Sequence, residues 1–267
     1  MKSYRSHFAL MLVTSTAAFG QVDSTVVIKG AFDRFTTDEL GNVYALRGDE
    51  LFLYSPEGKM LARNSVKTFG EITCIDAFSS LKPMVFSRSM GQLAVLDNTL
   101  SVQGDGIGLP RSGFPQVTLV CMSVQNSFWF FDERELQLIR VDGQLRPRAN
   151  TGRLDQLLGF SPHPAQMQEL DGWLYVCDPE NGILVFDVFG TYAKTLPIIG
   201  EHNAEVRDGA VFYVKDGALL RYDMKSFDTT PIAWPASLKG LHVRDARIDR
   251  GDLFCLTDDG IVIEVLK

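Results

Sequence analysis

Short apolar runs, many of them alternating with polar residues, recur along the whole 267-residue chain. The clearest stretch covers residues 171–194 and predicts three strands, at 173–177, 183–187 and 192–194. The breaks between them contain Asp, Pro, Asn and Gly, which favour tight hairpin turns. Helical periodicity is nearly absent, and residues 151–158 are the one candidate for a short helix. The pattern therefore indicates an all-β chain of small antiparallel sheets.

This layout repeats six times with a nearly constant period. Each repeat contains a marker strand with an aromatic or β-branched centre, and these centres are Tyr44, Val85, Trp129, Tyr175, Phe212 and Phe254. Their successive spacings are 41, 44, 46, 37 and 42 residues. Three or four short strands at such a period are typical of the blades of a β-propeller. The sequence therefore predicts an all-β fold, a six-bladed β-propeller.

The two ends of the repeat array are complementary. The last repeat stops after its third strand, whereas residues 24–29 form a spare apolar strand before the first repeat. An uncovered outer strand exposes unpaired main-chain N–H and C=O groups. We therefore expect the N-terminal strand to pair with the last blade and close the ring.

The first twenty residues have the pattern of a secretory signal peptide. Lys2 and Arg5 form a basic start, residues 8–19 are mostly apolar, and Ala18 and Gly20 place small side chains before a cleavage site. The apolar run is shorter than the ~20 residues that span a bilayer. We predict a signal peptide at residues 1–20, cleavage near Gly20 and a propeller domain at residues 21–267. The mature chain would be periplasmic, secreted or held at the cell surface, with no membrane span.

The predicted mature chain is acidic. Loss of the two basic signal-peptide residues changes the formal net charge from -7 to -9. Nucleic acids and anionic lipids are bound by clustered Lys and Arg, so an acidic chain of this kind is not expected to bind either.

The four cysteines, Cys74, Cys121, Cys177 and Cys255, each lie in an apolar strand-like run. Buried free thiols in such positions behave as small hydrophobic side chains. Export permits disulfides, and Cys74 and Cys121 occupy equivalent strands of neighbouring repeats. One bridge between these two residues therefore stays possible at this point.

Parts of the chain resemble the NHL repeat of six-bladed propellers. The likeness rests on the glycine-rich run 104–108, on Gly113-Phe114-Pro115 and on Asp132 before a strand that ends at Gly143. Residues 178–182 before the strand ILVFD resemble the same unit in the fourth repeat. The resemblance implies a platform that binds proteins or ligands. The signal segment, ending in AFGQ, resembles those of exported proteins of the Bacteroidota, which implies a Gram-negative cell envelope.

The candidate binding residues lie in loops that connect successive repeats. Residues 103–116 form the longest connection, and its glycines and prolines predict a loop without regular structure. We expect the loops 104–116, 160–164 and 200–203 to share one face of the ring with the acidic turns of the repeats. The candidates are Asp105, Arg111, Phe114, Phe160, His163, His202 and His242. The favoured interpretation is a non-enzymatic scaffold, without cofactor, that presents these loops to a protein partner in the cell envelope.

The alternative interpretation is a metal-dependent hydrolase of lactonase type that acts at the channel mouth. Glu169 and Glu205 fall on innermost strands, where carboxylates could bind Ca²⁺ or another divalent ion. The three histidines precede equivalent innermost strands and could bind a transition metal or act as bases. A carbohydrate-binding propeller, a third possibility, would need exposed tryptophans on the upper face.

Overall fold

A computed structural model describes residues 25–65 and 69–265, so the predicted signal peptide at residues 1–20 lies outside the described residues. Six four-stranded antiparallel sheets make up the fold. The prediction of a six-bladed β-propeller is confirmed. No helix within the described ranges is long and apolar enough to cross a membrane.

Each blade is a simple up-and-down sheet, and the first strand of the chain, β1 (Val26–Lys29), joins the sixth. Blades one and two are β2 (Arg34–Thr37), β3 (Val43–Arg47), β4 (Glu50–Tyr54), β5 (Met60–Ser65) and β6 (Cys74–Asp76), β7 (Met84–Ser87), β8 (Gln92–Val95), β9 (Ile107–Gly108). Blades three and four are β10 (Val117–Ser123), β11 (Ser127–Asp132), β12 (Gln137–Val141), β13 (Pro147–Asn150) and β14 (Gln166–Leu170), β15 (Trp173–Asp178), β16 (Gly182–Asp187), β17 (Tyr192–Leu196). Blades five and six are β18 (Glu205–Arg207), β19 (Ala210–Lys215), β20 (Ala218–Asp223), β21 (Thr229–Ile232) and β22 (Val243–Asp249), β23 (Asp252–Thr257), β24 (Gly260–Val265), β1.

The first strand of each blade lies innermost. These six strands contact one another in order around a closed ring, from β2 through β6, β10, β14 and β18 to β22 and back to β2. Because every blade has four antiparallel strands, the connections between blades and the turns between second and third strands share one face, here called the upper face. The turns between first and second strands, and between third and fourth strands, share the opposite or lower face.

The N-terminal strand closes the sixth blade as predicted. β1 pairs antiparallel with β24, with Val26 opposite Ile263 and Lys29 opposite Gly260. A side chain at Gly260 would collide with the carbonyl oxygen of Ile28, so the close approach of the two strands requires glycine there. The Thr25 hydroxyl also donates a hydrogen bond to Glu264 Oε1 at 2.6 Å. The closure covers the outer edge of a sheet that would otherwise be open.

Neighbouring blades pack through apolar faces, which hold the core of the molecule. Between blades three and four, Trp129, Leu138 and Phe186 are fully buried against each other's sheets. Burying such large side chains supplies most of the stabilisation of a fold of this kind.

The four cysteines are free thiols, so the bridge between Cys74 and Cys121 that the sequence left open is not formed. Cys74 Sγ instead donates to the carbonyl oxygen of Val120 at 3.4 Å. Burial raises the pKa of Cys74 to about 12 and the pKa of Cys121 well above its usual range. Thiols of this kind are unreactive because the thiolate is disfavoured.

The prediction that residues 103–116 form a loop without regular structure is wrong in part. Residues 107–108 are β9, the outer strand of blade two, and Pro110–Ser112 form a 3-10 turn. Gly106 packs closely against Phe69, and the lack of a side chain there lets the segment lie on the blade. Glycine therefore marks close packing in this segment as well as a turn. The predicted short helix is present as α1 (Leu154–Leu158).

Candidate functional site

The central channel opens into a cavity of about 550 Å³ lined by the inner strands. Its walls are unlike one another. Strands of blades one, two, five and six contribute the charged side chains Arg34, Asp76, Glu205, Arg207, Asp245 and Arg247. Strands of blades three and four contribute the apolar side chains Leu119, Met122, Met167 and Leu170. The same two blades also contribute Ser123, Gln166, Gln168 and Glu169, so the channel has a charged half and a half richer in apolar side chains, here called the apolar half.

Glu169, a predicted metal ligand, lies at the junction of blades three and four and is 8% exposed. Its Oε2 accepts hydrogen bonds from the Ser123 hydroxyl and from Trp129 Nε1, both at 2.6 Å. Its Oε1 accepts one from the main-chain N–H of Val124 at 3.1 Å. Three donors from the neighbouring blade thus bind this carboxylate, an arrangement that supports a structural role for Glu169.

Glu205, the other predicted metal ligand, lies at the junction of blades five and six. Its Oε2 accepts a hydrogen bond from the main-chain N–H of Ile248 at 3.0 Å. Its Oε1 lies 3.4 Å from Arg207 Nε and 3.9 Å from Arg247 Nη1. Burial raises the pKa of Glu205, and the two arginines oppose that rise. Glu205 is therefore part of a buried charge cluster and not of a group of carboxylates around one point.

Two more carboxylates line the channel near the arginines. Asp76 accepts hydrogen bonds from the main-chain N–H groups of Met122, at 2.8 Å, and Phe78, at 3.1 Å. Burial raises the pKa of Asp76 and of Asp245, and the positive charge of Arg247 opposes the rise at both. Ionised carboxylates in this channel are costly unless a cation lies beside them.

Arg247 is incompletely hydrogen-bonded in the channel, and the Nε of Arg207 is likewise buried without a partner among the described residues. The Arg247 side chain is 16% exposed, and its Nε is buried without a hydrogen-bond partner among the described residues. Its guanidinium lies over the Phe35 ring, 5.7 Å from the centroid. The neighbouring Arg207, by contrast, donates from Nη1 to Asp249 Oδ1 at 2.7 Å. Arg247 lines the cavity and its Nη1 lies beyond hydrogen-bonding distance of Glu205, so this terminal group, and not the inaccessible Nε, can be offered to another molecule there.

The three predicted histidines lie on the upper face and are exposed. His163 Nδ1 is 3.8 Å from Glu180 Oε2, and His242 Nδ1 is 3.3 Å from Asp258 Oδ2. Each of these two faces an acidic residue in a turn of its own blade, while His202 lies at the channel mouth. Within residues 25–65 and 69–265, no three His, Cys, Asp or Glu side chains are grouped as a metal site would need.

Some acidic turn residues of the upper face stabilise the turns themselves. Asp178 is fully buried, and its carboxylate accepts the main-chain N–H groups of Glu180, at 2.9 Å, and His163, at 2.8 Å. Asp132 accepts from Arg134 N at 3.0 Å and Glu135 N at 2.9 Å. These carboxylates stabilise the turns, and few of their lone pairs remain free to bind a cation.

The two predicted aromatic anchors of the upper face are packed inward. Phe114 lies edge-on against Phe130, with ring centroids 5.2 Å apart, and Phe160 packs against the core between blades three and four. Arg111 is exposed on the upper face, whereas Asp105 is exposed at the outer edge of blade two, just before β9. The predicted binding residues therefore do not form one apolar surface.

The lower face carries the exposed aromatic residues instead. All four exposed aromatic side chains of the described residues, Phe78, Trp173, Phe189 and Phe227, lie there. Five residues from blades one to four form what we call the lower apolar arc: Leu40, Phe78, Leu81, Val124 and Trp173. Sequence reasoning missed this arc. The available signal was an apolar pair, Phe78 and Leu81, in a turn where polar residues are usual.

Hydrogen bonds between blades hold the turns of this arc in place. Glu39 Oε2 accepts the main-chain N–H of Ser80 at 2.8 Å, which joins blades one and two. Lys82 Nζ donates to Asn126 Oδ1 at 3.0 Å, which joins blades two and three. The arc is thus a fixed surface that needs little reordering to bind.

Comparison with known proteins supports the fold. No protein-family model and no curated protein sequence matches the chain. Among solved structures, a catalytically inactive virginiamycin B lyase from Staphylococcus aureus with quinupristin is similar over 92% of this chain and 98% of its own, with a TM-score of 0.61 and 12% identity. A Bacteroides fragilis protein described as exported covers 92% and 95%, with a TM-score of 0.63 and 8% identity. BamB from Moraxella catarrhalis covers 87% and 82%, with a TM-score of 0.51 and 11% identity. At these identities the likeness shows the propeller fold alone.

Proposed function

We propose that this chain is an exported, non-enzymatic scaffold whose lower apolar arc binds a protein partner in the cell envelope. The observation that carries the proposal is the exposure of that arc, in which Phe78 is 55% and Leu81 is 67% exposed. Clusters of exposed apolar and aromatic side chains mark interaction surfaces, because leaving them in water is unfavourable. Aromatic anchors on a fixed surface dominate binding energy in protein interfaces.

Several further observations support the same role. The arc spans four consecutive blades, and inter-blade hydrogen bonds fix its turns. Trp173 and Phe189, which is 73% exposed, extend the apolar surface outward along blade four. Similar folds occur in a protein described as exported and in BamB. The signal-like N-terminal segment agrees with a role outside the cytoplasm.

A matched pair of double variants tests which face binds the partner. Phe78→Asp with Leu81→Asp introduces charge into the lower apolar arc. Ile199→Asp with Leu241→Asp makes the same change at two exposed apolar positions of the upper face. Exposed substitutions change stability by only about 0.5 kcal/mol or less, so both proteins should fold.

Quantitative capture from envelope extract then compares the two variants with the unaltered chain. We expect one protein to be retained by the unaltered chain and by the upper-face variant. The lower-face variant should lose it at least about tenfold, since hot-spot residues each contribute over ~1–2 kcal/mol. Loss by the upper-face variant with retention by the lower-face variant would overturn the proposal.

Export is tested separately by N-terminal mass spectrometry of the protein from cell fractions. A mature chain that begins at Gln21 in the periplasmic, surface or secreted fraction is the expected result. An uncleaved chain found only in the cytoplasm would contradict export while leaving the binding surface to its own test.

The hydrolase alternative has less support. Glu169 already accepts hydrogen bonds from three donors, and Glu205 lies among arginines that would repel a divalent cation. Elemental analysis of protein dialysed without chelator tests this alternative. Stoichiometric Ca²⁺ or a transition metal would favour the hydrolase over the scaffold.

A further inference from the structure

We propose that the charged half of the central channel binds a free α-amino acid with an apolar side chain. The cavity of about 550 Å³ falls within the range of small-molecule sites, ~300–1,000 Å³. The inference goes beyond the proposed partner-binding function: Phe78 and Val124 of the lower apolar arc also line the cavity, but its charged groups lie on inner strands and are tested separately.

The carboxylate of the ligand would be bound by Arg247. A buried guanidinium whose donors lack acceptors is unfavourable, and Arg247 Nε has no partner among the described residues. The carboxylate oxygen of Glu205 at 3.9 Å from Nη1 is too distant for a hydrogen bond. The planar guanidinium fork matches a carboxylate with two parallel hydrogen bonds. Arg247 also lies over the Phe35 ring, 5.7 Å from its centroid, a contact that helps to position the guanidinium.

The ammonium group would be bound by Asp245 and Asp76. Both carboxylates line the same cavity as Arg247, and burial disfavours their charge. A cation bound beside either carboxylate would relieve that cost. The cavity therefore contains a guanidinium and two carboxylates, and the charge of Arg247 acts on both carboxylates. Of the small molecules with apolar parts, a zwitterion is complementary to both signs at once.

The apolar half of the channel would contact the side chain of the ligand. Leu119, Met122 and Met167 line the wall that blades three and four contribute. Methionine side chains adapt to ligands of different shape, so the wall would favour an apolar side chain of moderate size over one particular residue.

Isothermal titration calorimetry with three probes tests each part of this arrangement. L-leucine carries both charges, 4-methylpentanoate lacks the ammonium group, and 3-methylbutylamine lacks the carboxylate. We expect leucine to bind at least about tenfold more tightly than either truncated probe, since a hydrogen bond to a charged group contributes ~1.5–3 kcal/mol.

Two channel variants and one matched control show which side chain binds the carboxylate of the ligand and which binds its ammonium group. Arg247→Lys should weaken leucine and 4-methylpentanoate by about tenfold and leave the amine unchanged, because a lysine cannot form the paired bonds. Asp245→Asn should weaken leucine and the amine and leave 4-methylpentanoate unchanged. Arg134→Lys, on an arginine that is 75% exposed in an upper-face turn, should leave all three unchanged.

Two outcomes would overturn the inference. One is the absence of binding heat for all three probes at millimolar concentration, which would mean that water alone occupies the channel. The other is leucine binding that Arg247→Lys does not weaken in a protein with an unaltered near-ultraviolet circular dichroism spectrum. If Arg247→Lys does not fold, the deciding variant is Asp245→Asn. Binding of 3-methylbutylamine that this variant does not weaken would then overturn the inference.

Discussion

The junction of blades three and four and the junction of blades five and six each depend on a buried glutamate from an inner strand. At the first, Glu169 accepts only from uncharged donors, including Trp129 Nε1 at 2.6 Å. At the second, Glu205 lies among Arg207 and Arg247 and accepts a single hydrogen bond from the main chain. The first arrangement is closed and structural. The second leaves a guanidinium short of acceptors, which is the condition for binding something else.

The largest expected effect comes from breaking the closed junction. Glu169→Ala would leave the Trp129 N–H, the Ser123 hydroxyl and the Val124 N–H without their acceptor. Each buried unsatisfied group costs ~1–3 kcal/mol, so the free energy of unfolding should fall by roughly 3–5 kcal/mol. Urea denaturation followed by circular dichroism measures this. Glu169→Gln, which keeps two acceptor sites, should recover more than half of the loss.

The charged junction should tolerate an equivalent change better. Glu205→Gln keeps an acceptor for the N–H of Ile248 and removes a carboxylate whose burial is costly. It also removes the partner of two arginines. Because these effects oppose each other, the free energy of unfolding at pH 7 should change by no more than about 1 kcal/mol. A loss as large as that of Glu169→Ala would show that the two junctions do not differ as described.

The pH dependence of the same variant sharpens the comparison. Burial raises the pKa of Glu205 in the folded chain above its ordinary value of 4.5. Between those two values the folded chain binds the proton and the unfolded chain does not, so stability falls as pH rises through that window. Glu205→Gln lacks this loss. We therefore expect the free energy of unfolding of the variant, relative to that of the unaltered chain, to increase as the pH rises above about 4.5. Denaturation at a series of pH values measures it, and a difference that does not change with pH would contradict the expectation.

The smallest effect is expected at an exposed contact between blades two and three. Arg88 Nη2 lies 3.0 Å from Glu133 Oε2, with both side chains more than half exposed. Exposed ion pairs contribute little because water and salt screen them, so Glu133→Ala should cost no more than about 0.5 kcal/mol. Urea denaturation at low and high salt checks this value. A cost above 1 kcal/mol would show that ion pairs on the upper face, and not the buried junctions, join these blades.

The fold could be predicted because its signals are local and repeated. The marker strand centred on Tyr175 was expected at residues 173–177 and is Trp173–Asp178. The closing strand was indicated by the missing fourth strand of the last repeat and pairs with β24 as expected. The two-residue β9 escaped notice because strand periodicity needs a longer run than Ile107–Gly108 provides.

The sites could be predicted only in part, because local sequence patterns do not predict which side chains meet between blades. Glu169 accepts a hydrogen bond from Trp129, which is 40 residues away in the sequence, and no spacing rule identifies that pair. The same applies to Arg247, whose neighbours Phe35 and Glu205 come from blades one and five. The connections at residues 160–164 and 200–203 lie on the upper face as expected, whereas residues 104–108 belong to the outer edge of blade two. Whether Phe114 points outward or packs on Phe130 is decided by tertiary packing.

Hydrogen–deuterium exchange of the full chain with its captured partner tests the central claim most directly. We predict protection confined to the lower-face turns at residues 38–42, 77–83 and 124–126, which carry four members of the lower apolar arc. The upper-face turns at residues 132–136 and 200–203 should exchange as in the free chain. Protection of those upper-face turns, with unchanged exchange in the arc, would contradict the account.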